Sequence, residues 1–265
     1  MSTAEKVKIV RWQNGRAETR EDLAAGESLL RVRINDEREL SFAITPEELR
    51  EFVYGNLLAE GWIKSLDEVK DYREMKRKDL AEVGVRLEGP GLKRNAGFLW
   101  NYNVLAGDCA NVPVPPALEE GLDRIRHGFR LGASQMARIQ ENVKELAGLY
   151  RDTGAFHYAI LFTPELEPDI SCHDISRHNA MDKAIGKAVL SGTRLEERVL
   201  FTTGRINSNA VLKCMRARIP FILSRGACFL NAARLAREYD LGVVGFLRST
   251  RFNVYSGEEH IDFED

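Results

Sequence analysis

The stretch Asp174-Ile-Ser-Arg-His-Asn-Ala-Met-Asp-Lys183 decides how the rest of the sequence is interpreted, because most of its positions are polar or ionisable. Apolar residues then recur at helical spacing, which predicts a helix over 178–190. Backbone N–H groups and the positive end of the helix dipole collect at such a helix start and favour an anion. Arg177 strengthens that preference and His178 lies beside it, so both are candidate ligand-binding residues. The alternative is a capped helix whose charges face water.

The C-terminal half alternates short apolar runs with helical patterns. In chain order these are Phe156–Phe162, helix 178–190, Val199–Thr202, helix 208–217, Phe221–Leu223, helix 229–238 and Val243–Leu247. This alternation is typical of βαβ units. We therefore predict a three-layer α/β/α domain in this half.

The hydrophobic pattern of the N-terminal part predicts a smaller α+β lobe. Alternating apolar and polar residues predict half-buried antiparallel strands over 7–12 and 28–44, with a turn at Asn35-Asp36, and a further alternating strand over 79–88. Thr45 is predicted to be the N-cap of a helix that ends at Gly61. One or two further helices are predicted between Leu118 and Tyr150.

Residues 93–116 show no periodicity and contain prolines and glycines around Cys109. Long loops of this kind are usually functional or mobile. A thiol there would be accessible, although accessibility alone does not make it a nucleophile. We divide the chain into residues 1–116, the N-terminal lobe with this cysteine loop, and residues 117–265, a helical bridge followed by the α/β domain.

Composition narrows the classes of function. The net charge of −2 gives no global attraction to nucleic acid or anionic membranes. No run approaches the roughly 18 apolar residues of a membrane span, so the cytoplasm is the expected location. The four cysteines form no CxxC pair, which disfavours a disulfide framework and a zinc ribbon. The H-x-E and P-C-x-x-C motifs of zinc deaminases are also absent, and we predict no metal site.

Three successive strand candidates finish in the same way, with arginine and hydroxyl residues directly after an apolar run. The endings are Thr203-Gly-Arg205, Ser224-Arg225-Gly226 and Arg248-Ser-Thr-Arg251. In open α/β sheets the ligand crevice lies outside the carboxyl ends of the strands, so these arginines can converge on one anion. The planar guanidinium suits phosphate because it donates bidentate hydrogen bonds. The alternative is that strand-end arginines only solvate the rim.

Together these motifs resemble the FdhD family of formate dehydrogenase accessory sulfurtransferases. The resemblance runs through most of the chain and is carried by Thr45-Pro-Glu-Glu-Leu, Leu57-Leu-Ala-Glu-Gly61, the Asp174–Lys183 stretch, Thr203-Gly-Arg205, Ser224-Arg225, Val244-Gly-Phe-Leu-Arg248 and Arg251-Phe-Asn-Val-Tyr255. It implies a cytidine-deaminase-like α/β domain without the deaminase zinc, a second lobe, and a homodimer.

The resemblance also implies a role. Such a protein accepts persulfide sulfur from a cysteine desulfurase and passes it to a molybdenum cofactor that carries guanine dinucleotides, which makes formate dehydrogenase active. Cys109 would carry the sulfur, and GDP would be a partial mimic of the cofactor. The implied cofactor-binding residues are Phe246, Leu247, Arg248, Ser249, Thr250, Arg251, Arg205 and Arg225, with Arg177 and His178 at the helix start.

The chain departs from the family pattern at several positions. Family members carry a C-G-x-C loop, whereas this loop reads Gly107-Asp-Cys-Ala-Asn-Val112 and has one thiol. We align Cys109 with the first family cysteine, and the opposite register, with Ala106 first, stays open. Ser176 replaces a glycine, and Gly226-Ala-Cys-Phe229 replaces small-Ala-Pro-Thr.

Three functions are therefore compatible with the sequence. The first is a sulfur carrier that uses Cys109 alone, since one thiolate is enough to accept and release a sulfane sulfur. The second is a module that binds and delivers the molybdenum cofactor without sulfur chemistry. The third is an enzyme that acts on a free guanine nucleotide or a similar phosphate ester.

Overall fold

A computed structural model describes residues 2–77, 80–89, 119 and 121–265 of the protein. The predicted loop 93–116, Cys109 and the predicted boundary between residues 116 and 117 lie outside the described residues.

A six-stranded mixed sheet forms the centre of the C-terminal half. Its strands are β8 (His157–Phe162), β9 (Pro168–Asp174), β10 (Val199–Thr202), β11 (Phe221–Ser224), β12 (Gly242–Gly245) and β13 (Asn253–Ser256). They lie in the order β13-β12-β11-β10-β8-β9. Strands β10, β11 and β12 are parallel neighbours, and the other pairs are antiparallel. The carboxyl ends of the three parallel strands therefore share one edge of the sheet.

Helices cover both faces of this sheet. The α-helices whose bounds lie within the described residues are α1 (Leu49–Ala59), whose apolar side chains pack mainly in the N-terminal lobe, α2 (Ala133–Leu146), α3 (Gly148–Thr153), α4 (Arg177–Leu190), α5 (Ser208–Arg216) and α6 (Leu230–Glu238). Helices α4, α5 and α6 share an apolar cluster with Ala159 and Leu161, whereas α2 packs against Ile160 and Phe162. Because successive strand residues point to opposite faces, this alternation makes three layers. The structure is thus the mixed α/β fold that the sequence predicted.

A second sheet of four strands makes up the N-terminal lobe with α1. Its strands are β3 (Ser28–Ile34), β4 (Arg38–Ile44), β5 (Val69–Lys76) and β6 (Leu80–Leu87), in the order β4-β3-β6-β5. The predicted turn between β3 and β4 is confirmed, since Asn35 and Asp36 have φ angles of 53° and 57°. Asparagine and aspartate tolerate this left-handed conformation better than most residues.

The first predicted strand is longer than expected and less buried. Strand β1 (Ala4–Gln13) pairs with β2 (Arg16–Ala25), which was not predicted, in a separate two-stranded sheet. The side chains of Val10 and Trp12 are 69% and 72% exposed. The prediction of a half-buried strand is wrong here, because no described element covers this face of the hairpin.

Of the predicted helices between Leu118 and Tyr150, Glu119 is helical, residues 121–130 are not, and helix α2 begins at Ala133. Residues 121–130 form no regular element, and they are held by hydrogen bonds to distant segments. The Ile125 amide donates to the Tyr239 carbonyl at 2.8 Å instead of to a carbonyl one helical turn earlier, and the Arg130 guanidinium donates to the carbonyls of Glu259 and Ile261. Strand β7 (Leu131–Gly132) follows and pairs with β14 (Ile261–Asp262).

Thr45 is not the N-cap that the sequence predicted. Helix α1 begins at Leu49, after Glu48 with a φ of 53°. Thr45 is instead fully buried, and its hydroxyl donates to the Asp174 carboxylate at 2.9 Å. The helix ends as predicted, with Gly61 at a φ of 75° directly after the last turn.

Helices α1 and α4 cross in close backbone contact. A Cβ atom on Gly55 would lie 1.8 Å from the Asp182 carbonyl oxygen, and one on Gly186 would lie 1.7 Å from that of Glu51. Only glycine fits at these two positions, because a rigid backbone atom cannot move aside as a flexible side chain can.

No described helix is both long and apolar enough to cross a membrane.

We predict that Gly55→Ala separates the two helices and lowers the free energy of unfolding by about 3 kcal/mol or more, the upper part of the range for overpacking. Urea unfolding monitored by circular dichroism measures the change. Gly84→Ala is the matched control, because a Cβ atom there meets nothing within 4 Å. Equal stability of the Gly55→Ala variant and the wild type would contradict the close crossing.

Candidate functional site

The buried carboxylate of Asp174 joins the start of α4 to the N-terminal lobe. Its Oδ2 accepts hydrogen bonds from the amide and hydroxyl of Thr45 and lies 2.8 Å from the Lys183 ammonium. Its Oδ1 accepts from the Ser176 amide at 3.0 Å and from Asn179 Nδ2 at 2.9 Å. Lys183 also donates to the Thr45 hydroxyl. The cluster therefore satisfies all the lone-pair directions of one buried acid.

A second buried cluster joins α4 to α1 and α5. The Lys213 ammonium lies 2.7 Å from both Glu60 Oε1 and Asp182 Oδ1, and Asn56 donates to Asp182 at 2.8 Å. Burial disfavours the ionised form of Glu60, but the charges of Lys213 and Arg216 outweigh it and lower the pKa of Glu60. Burial raises the pKa of Asp182, which shares the same lysine. Burial also opposes the charge on Lys213, yet the two carboxylates raise the pKa of Lys213.

These two clusters change the interpretation of the Asp174–Lys183 stretch. The alternative in which its charges face water is wrong, because Asp174, Asn179, Asp182 and Lys183 are all at least 90% buried. Some of their partners lie within the stretch itself, but Thr45 and Asn56 are more than a hundred residues away in sequence and Lys213 is on another helix, so the sequence alone could not reveal the two clusters. Most of the stretch holds the fold together, and only its first helical turn reaches the predicted ligand edge.

We predict that Lys213→Met destabilises the protein by about 3–5 kcal/mol near neutral pH, because it leaves two buried carboxylates without their cation. Loss of the lysine raises the folded-state pKa of both acids above their unfolded values. The deficit is therefore full above those folded pKa values and shrinks as the pH falls through them.

Urea unfolding of wild type and variant at several pH values measures this deficit. The matched control is Lys187→Met on the neighbouring helix α4, because the Lys187 side chain is 43% exposed and pairs with Glu48. That exposed pair should contribute less than about 1 kcal/mol. A Lys213→Met deficit that grows as the pH falls would contradict the account.

Hydrogen bonds join the ends of β10, β11 and β12, so the three endings that the sequence singled out lie at one edge of the sheet. The Arg225 amide donates to the Thr202 carbonyl at 3.4 Å, and the Phe246 amide donates to the Gly226 carbonyl at 2.9 Å. Ser224 Oγ donates to the Gly204 carbonyl and accepts from the Gly226 amide. We call residues 203–205, 225–226 and 246–251 the carboxyl edge. The sequence did not single out Ser224 as the residue that fastens two of these loops.

Helix α4 meets the carboxyl edge through its first turn. Arg177 is buried and packs on Gly204, where a Cβ atom would lie 2.4 Å from Arg177 Cδ. His178 Nε2 lies 3.2 Å from Asn207 Oδ1, which also accepts from the Ala210 amide as the N-cap of α5. Asn207 was missed, although an asparagine directly before a helical pattern is a recognised N-cap signal. Arg177 and His178 thus contact the base of the edge.

The arginines of the edge differ in their surroundings. Arg205 and Arg251 are exposed, and the Arg205 guanidinium lies 5.4 Å from the centre of the Phe229 ring. Arg248 is half-buried, and its NH1 donates to the carbonyls of Arg225 and Leu247, both at 2.8 Å. Arg248 therefore stabilises the edge as well as lining it.

No carboxylate among the described residues pairs with Arg225, Arg248 or Arg251. Many other surface arginines do have such a partner, for example Arg198 with Asp169 at 2.8 Å. Ser249 and Thr250 are exposed, and in the described chain their amides donate to no acceptor. The edge therefore presents positive charge and N–H donors that an anion can bind.

Within the stretch Phe246–Arg251, the first two residues have opposite environments. The Leu247 side chain is fully buried and belongs to the core below the edge. The Phe246 side chain is 36% exposed, and its φ of 51° is a left-handed conformation that bulky residues rarely adopt. Backbone strain of this kind persists only where the surrounding structure fixes it, and it clusters at functional sites. Phe246 thus leaves part of its apolar side chain exposed at the edge.

The described cysteines are poor nucleophiles. Cys172 and Cys214 are buried, and burial raises the pKa of both thiols well above the usual range. Cys228 is half-buried, and burial raises its pKa to about 12. Because the thiolate is the reactive form, none of the three is ready to attack at neutral pH. Cys109 lies outside the described residues, so its proposed role rests on the sequence.

Taken together, these features define a mixed α/β protein whose parallel strands end at an arginine-bearing edge. The family model for the FdhD/NarQ family matches residues 25–262. The chain belongs to this family, which confirms the resemblance found in the sequence.

Curated relatives match over nearly their whole length. The sulfur carrier protein FdhD of Listeria monocytogenes is 28% identical over 254 residues, which cover 96% of this chain and 97% of that protein. The protein of the same name from Sulfolobus acidocaldarius is 29% identical over 259 residues, covering 97% and 98%. A crystal structure described as that of a formate dehydrogenase accessory protein from Desulfotalea psychrophila superposes with a TM-score of 0.78, at 23% identity and with 98% and 100% coverage. This solved structure has the same fold.

Proposed function

We propose that this protein is a sulfur carrier required for formate dehydrogenase activity. It takes persulfide sulfur from a cysteine desulfurase and transfers it to a molybdenum cofactor that carries two molybdopterin guanine dinucleotides. Membership of the FdhD/NarQ family and the names of the curated relatives support the role. The observation that carries the binding half of the proposal is that Arg225, Arg248 and Arg251 pair with no carboxylate among the described residues.

The carboxyl edge has the chemistry to hold a guanine dinucleotide. Arg225, Arg248 and Arg251 would bind the pyrophosphate, because guanidinium forks donate paired hydrogen bonds to phosphate oxygens. The amides of Ser249 and Thr250 supply further donors, in the way that turn amides do in many anion sites. The exposed Phe246 ring is available for stacking against the flat guanine base. Arg205 lies at the neighbouring loop, and Arg177 and His178 support that loop from below.

Sulfur transfer would use Cys109 as a single thiolate. The thiolate attacks the outer sulfur of the desulfurase persulfide, the donor S–S bond breaks, and the desulfurase cysteine leaves as a thiolate. Cys109 would then carry the persulfide. In the second step the acceptor, the cofactor as substrate, would supply the electron pair for its new bond to the outer sulfur, the S–S bond would break, and Cys109 would leave as a thiolate. An unperturbed cysteine is only a few per cent ionised at neutral pH, so a nearby cation has to lower its pKa.

A second candidate function is a delivery module that binds the cofactor without carrying sulfur. The loop sequence Gly107-Asp-Cys-Ala-Asn-Val112 favours it, because one thiol stands where the family pattern has two. This reading shares the carboxyl edge with the first and differs only in the role of Cys109. A separate enzyme activity on a free guanine nucleotide would require turnover of the nucleotide alone.

The remaining parts of the proposal come from the family resemblance. We propose that the protein works as a homodimer in the cytoplasm, with the cysteine desulfurase and formate dehydrogenase as its partners. We also propose a cytidine-deaminase-like topology for the α/β domain, without zinc at the deaminase position. The six-stranded sheet with helices on both faces is compatible with that topology.

We predict that GDP binds to the wild-type protein and that Arg248→Ala raises its Kd about 10–100-fold, the effect of losing a charge-assisted hydrogen bond of about 1.5–3 kcal/mol. Isothermal titration calorimetry measures both. Arg237→Ala is the matched control, since Arg237 is exposed but pairs with Glu258, away from the edge. No binding to the wild type, or an equal loss in the control, would remove the anion-site argument.

We predict that Cys109 gains about 32 Da, one sulfur atom, when the protein is incubated with a cysteine desulfurase and cysteine. Mass spectrometry of the peptide that contains Cys109 measures the gain, and reduction should abolish it. The gain should disappear in Cys109→Ala and persist in Cys228→Ala, which removes the least buried of the described cysteines.

A mass gain on Cys228, or none on any cysteine, would contradict the carrier mechanism. If GDP still binds in that case, the delivery-module reading takes its place. The two experiments thus separate loss of sulfur chemistry from loss of the binding edge.

A further inference from the structure

A cluster of two histidines and an aspartate lies at the edge of the sheet opposite the carboxyl edge. Asp240 precedes the start of β12, whereas His127 and His260 come from segments far apart in sequence. One potential ligand atom from each of the three residues lies within 4.8 Å of the other two. The two imidazole rings stack, with centroids 3.6 Å apart and planes inclined by 16°. None of these residues belongs to the site described above.

One ring nitrogen on each histidine is buried and makes no hydrogen bond to the described residues: His127 Nδ1 and His260 Nε2. His127 Nε2 lies 2.7 Å from the Asp240 backbone carbonyl, so Nε2 carries the proton and Nδ1 keeps its lone pair. His260 Nε2 has carboxylate oxygens at 3.5 and 3.7 Å, too far for a good hydrogen bond. A buried polar atom without a hydrogen-bond partner is costly, and such atoms are rare in native proteins.

We propose that His127, Asp240 and His260 bind a divalent transition-metal ion of the zinc class. Two ligands of a tetrahedral ion, each at about 2.0–2.2 Å, lie roughly 3.3–3.6 Å apart. The observed separation of 3.5 Å between His260 Nε2 and Asp240 Oδ1 matches this geometry. Imidazole nitrogens are ligands that zinc, copper and nickel prefer.

The surroundings of the cluster also fit a metal site. A ligating histidine usually donates its other ring N–H to a carbonyl or carboxylate, as His127 does to Asp240. Glu259 Oε1, 3.7 Å from His260 Nε2, is within reach as a fourth ligand, and water is the other choice. The rings are nearly parallel, so His260 has to rotate for both lone pairs to meet one ion. His260 lies in a short turn, Glu258–His260, and is only half-buried, which leaves room for that rotation.

An ion bound here would hold the C-terminal segment of the chain to the rest of the α/β domain. His260 comes just before β14, and β14 pairs with β7, which follows His127 by a few residues. Arg130 already holds the same turn through the Glu259 and Ile261 carbonyls. The ion would join both segments to the turn between α6 and β12. The role is structural, and the site is separate from that of the deaminase zinc, whose motifs the sequence lacks.

The test is a titration of the chelator-treated full-length protein with Co²⁺, followed by calorimetry and visible absorption. We expect saturable binding of one Co²⁺ per chain and the absorption of a four-coordinate ion with nitrogen and oxygen ligands. Asp240→Asn and His260→Gln should each raise the Kd by about 100-fold or more, beyond what loss of an outer partner costs. Glu258→Gln should bind as the wild type does, because its carboxylate pairs with Arg237.

The proposal is overturned if the wild type shows no saturable binding, or if both ligand variants keep the wild-type Kd. An equal loss in Glu258→Gln overturns it as well, since the ion would then sit in a different acidic cluster. Should a variant fail to fold, the wild-type spectrum still decides the question. A thiolate-to-metal charge-transfer band there would assign the ion to a cysteine and contradict the proposal.

Discussion

The crossing of α1 over α4 is the contact on which the rest of the structure depends. Gly55 and Gly186 let the two backbones touch, and Lys213 neutralises the carboxylates that the crossing buries. A buried ion pair is not in itself a source of stability, because desolvation offsets much of its attraction. Here the ion pair contributes to the specificity of the fold, since the buried acids are satisfied only in one arrangement of α1, α4 and α5. The N-terminal lobe and the α/β domain are thereby held in one relative position.

This relative position of the lobe and the domain also sets the position of the proposed binding edge. Because Asp174 and Lys183 fix the start of α4, the first turn of the helix carries Arg177 onto Gly204. Ser224 and the backbone bonds of Phe246 then connect this loop to the next two strand ends. The edge is thus built on rigid elements, which limits the entropy lost when a ligand binds. A change at the helix crossing should therefore disturb the edge although it lies outside it.

Much of the α/β domain could be predicted from the sequence because its apolar runs alternate with helical patterns and the boundaries between them are clear. The runs at Val199–Thr202 and Phe221–Leu223 became β10 and β11 almost residue for residue. Strands β9 and β13 were missed because they are partly polar strands at the two sides of the sheet, where burial imposes a weaker pattern. The grouping of the strand-end arginines followed from the crevice rule alone.

The buried partners could not be predicted in the same way. Thr45 has the sequence of an N-cap, and only the tertiary position of Asp174 shows why its hydroxyl is used elsewhere. Asp182 and Lys213 likewise look like ordinary helix-surface charges until α1 is packed against them. The stacked pair of His127 and His260 carries no local signal at all, because its members lie far apart in sequence.

The central claim joins two features, the arginine edge and the single thiol of the loop, in one transfer of sulfur. Formate dehydrogenase activity in a bacterial strain that lacks its own accessory protein tests both at once. The wild-type chain should restore activity, and Cys109→Ala and Arg248→Ala should each fail to restore it while remaining folded and expressed. Restoration of wild-type activity by the Cys109→Ala chain would contradict the claim.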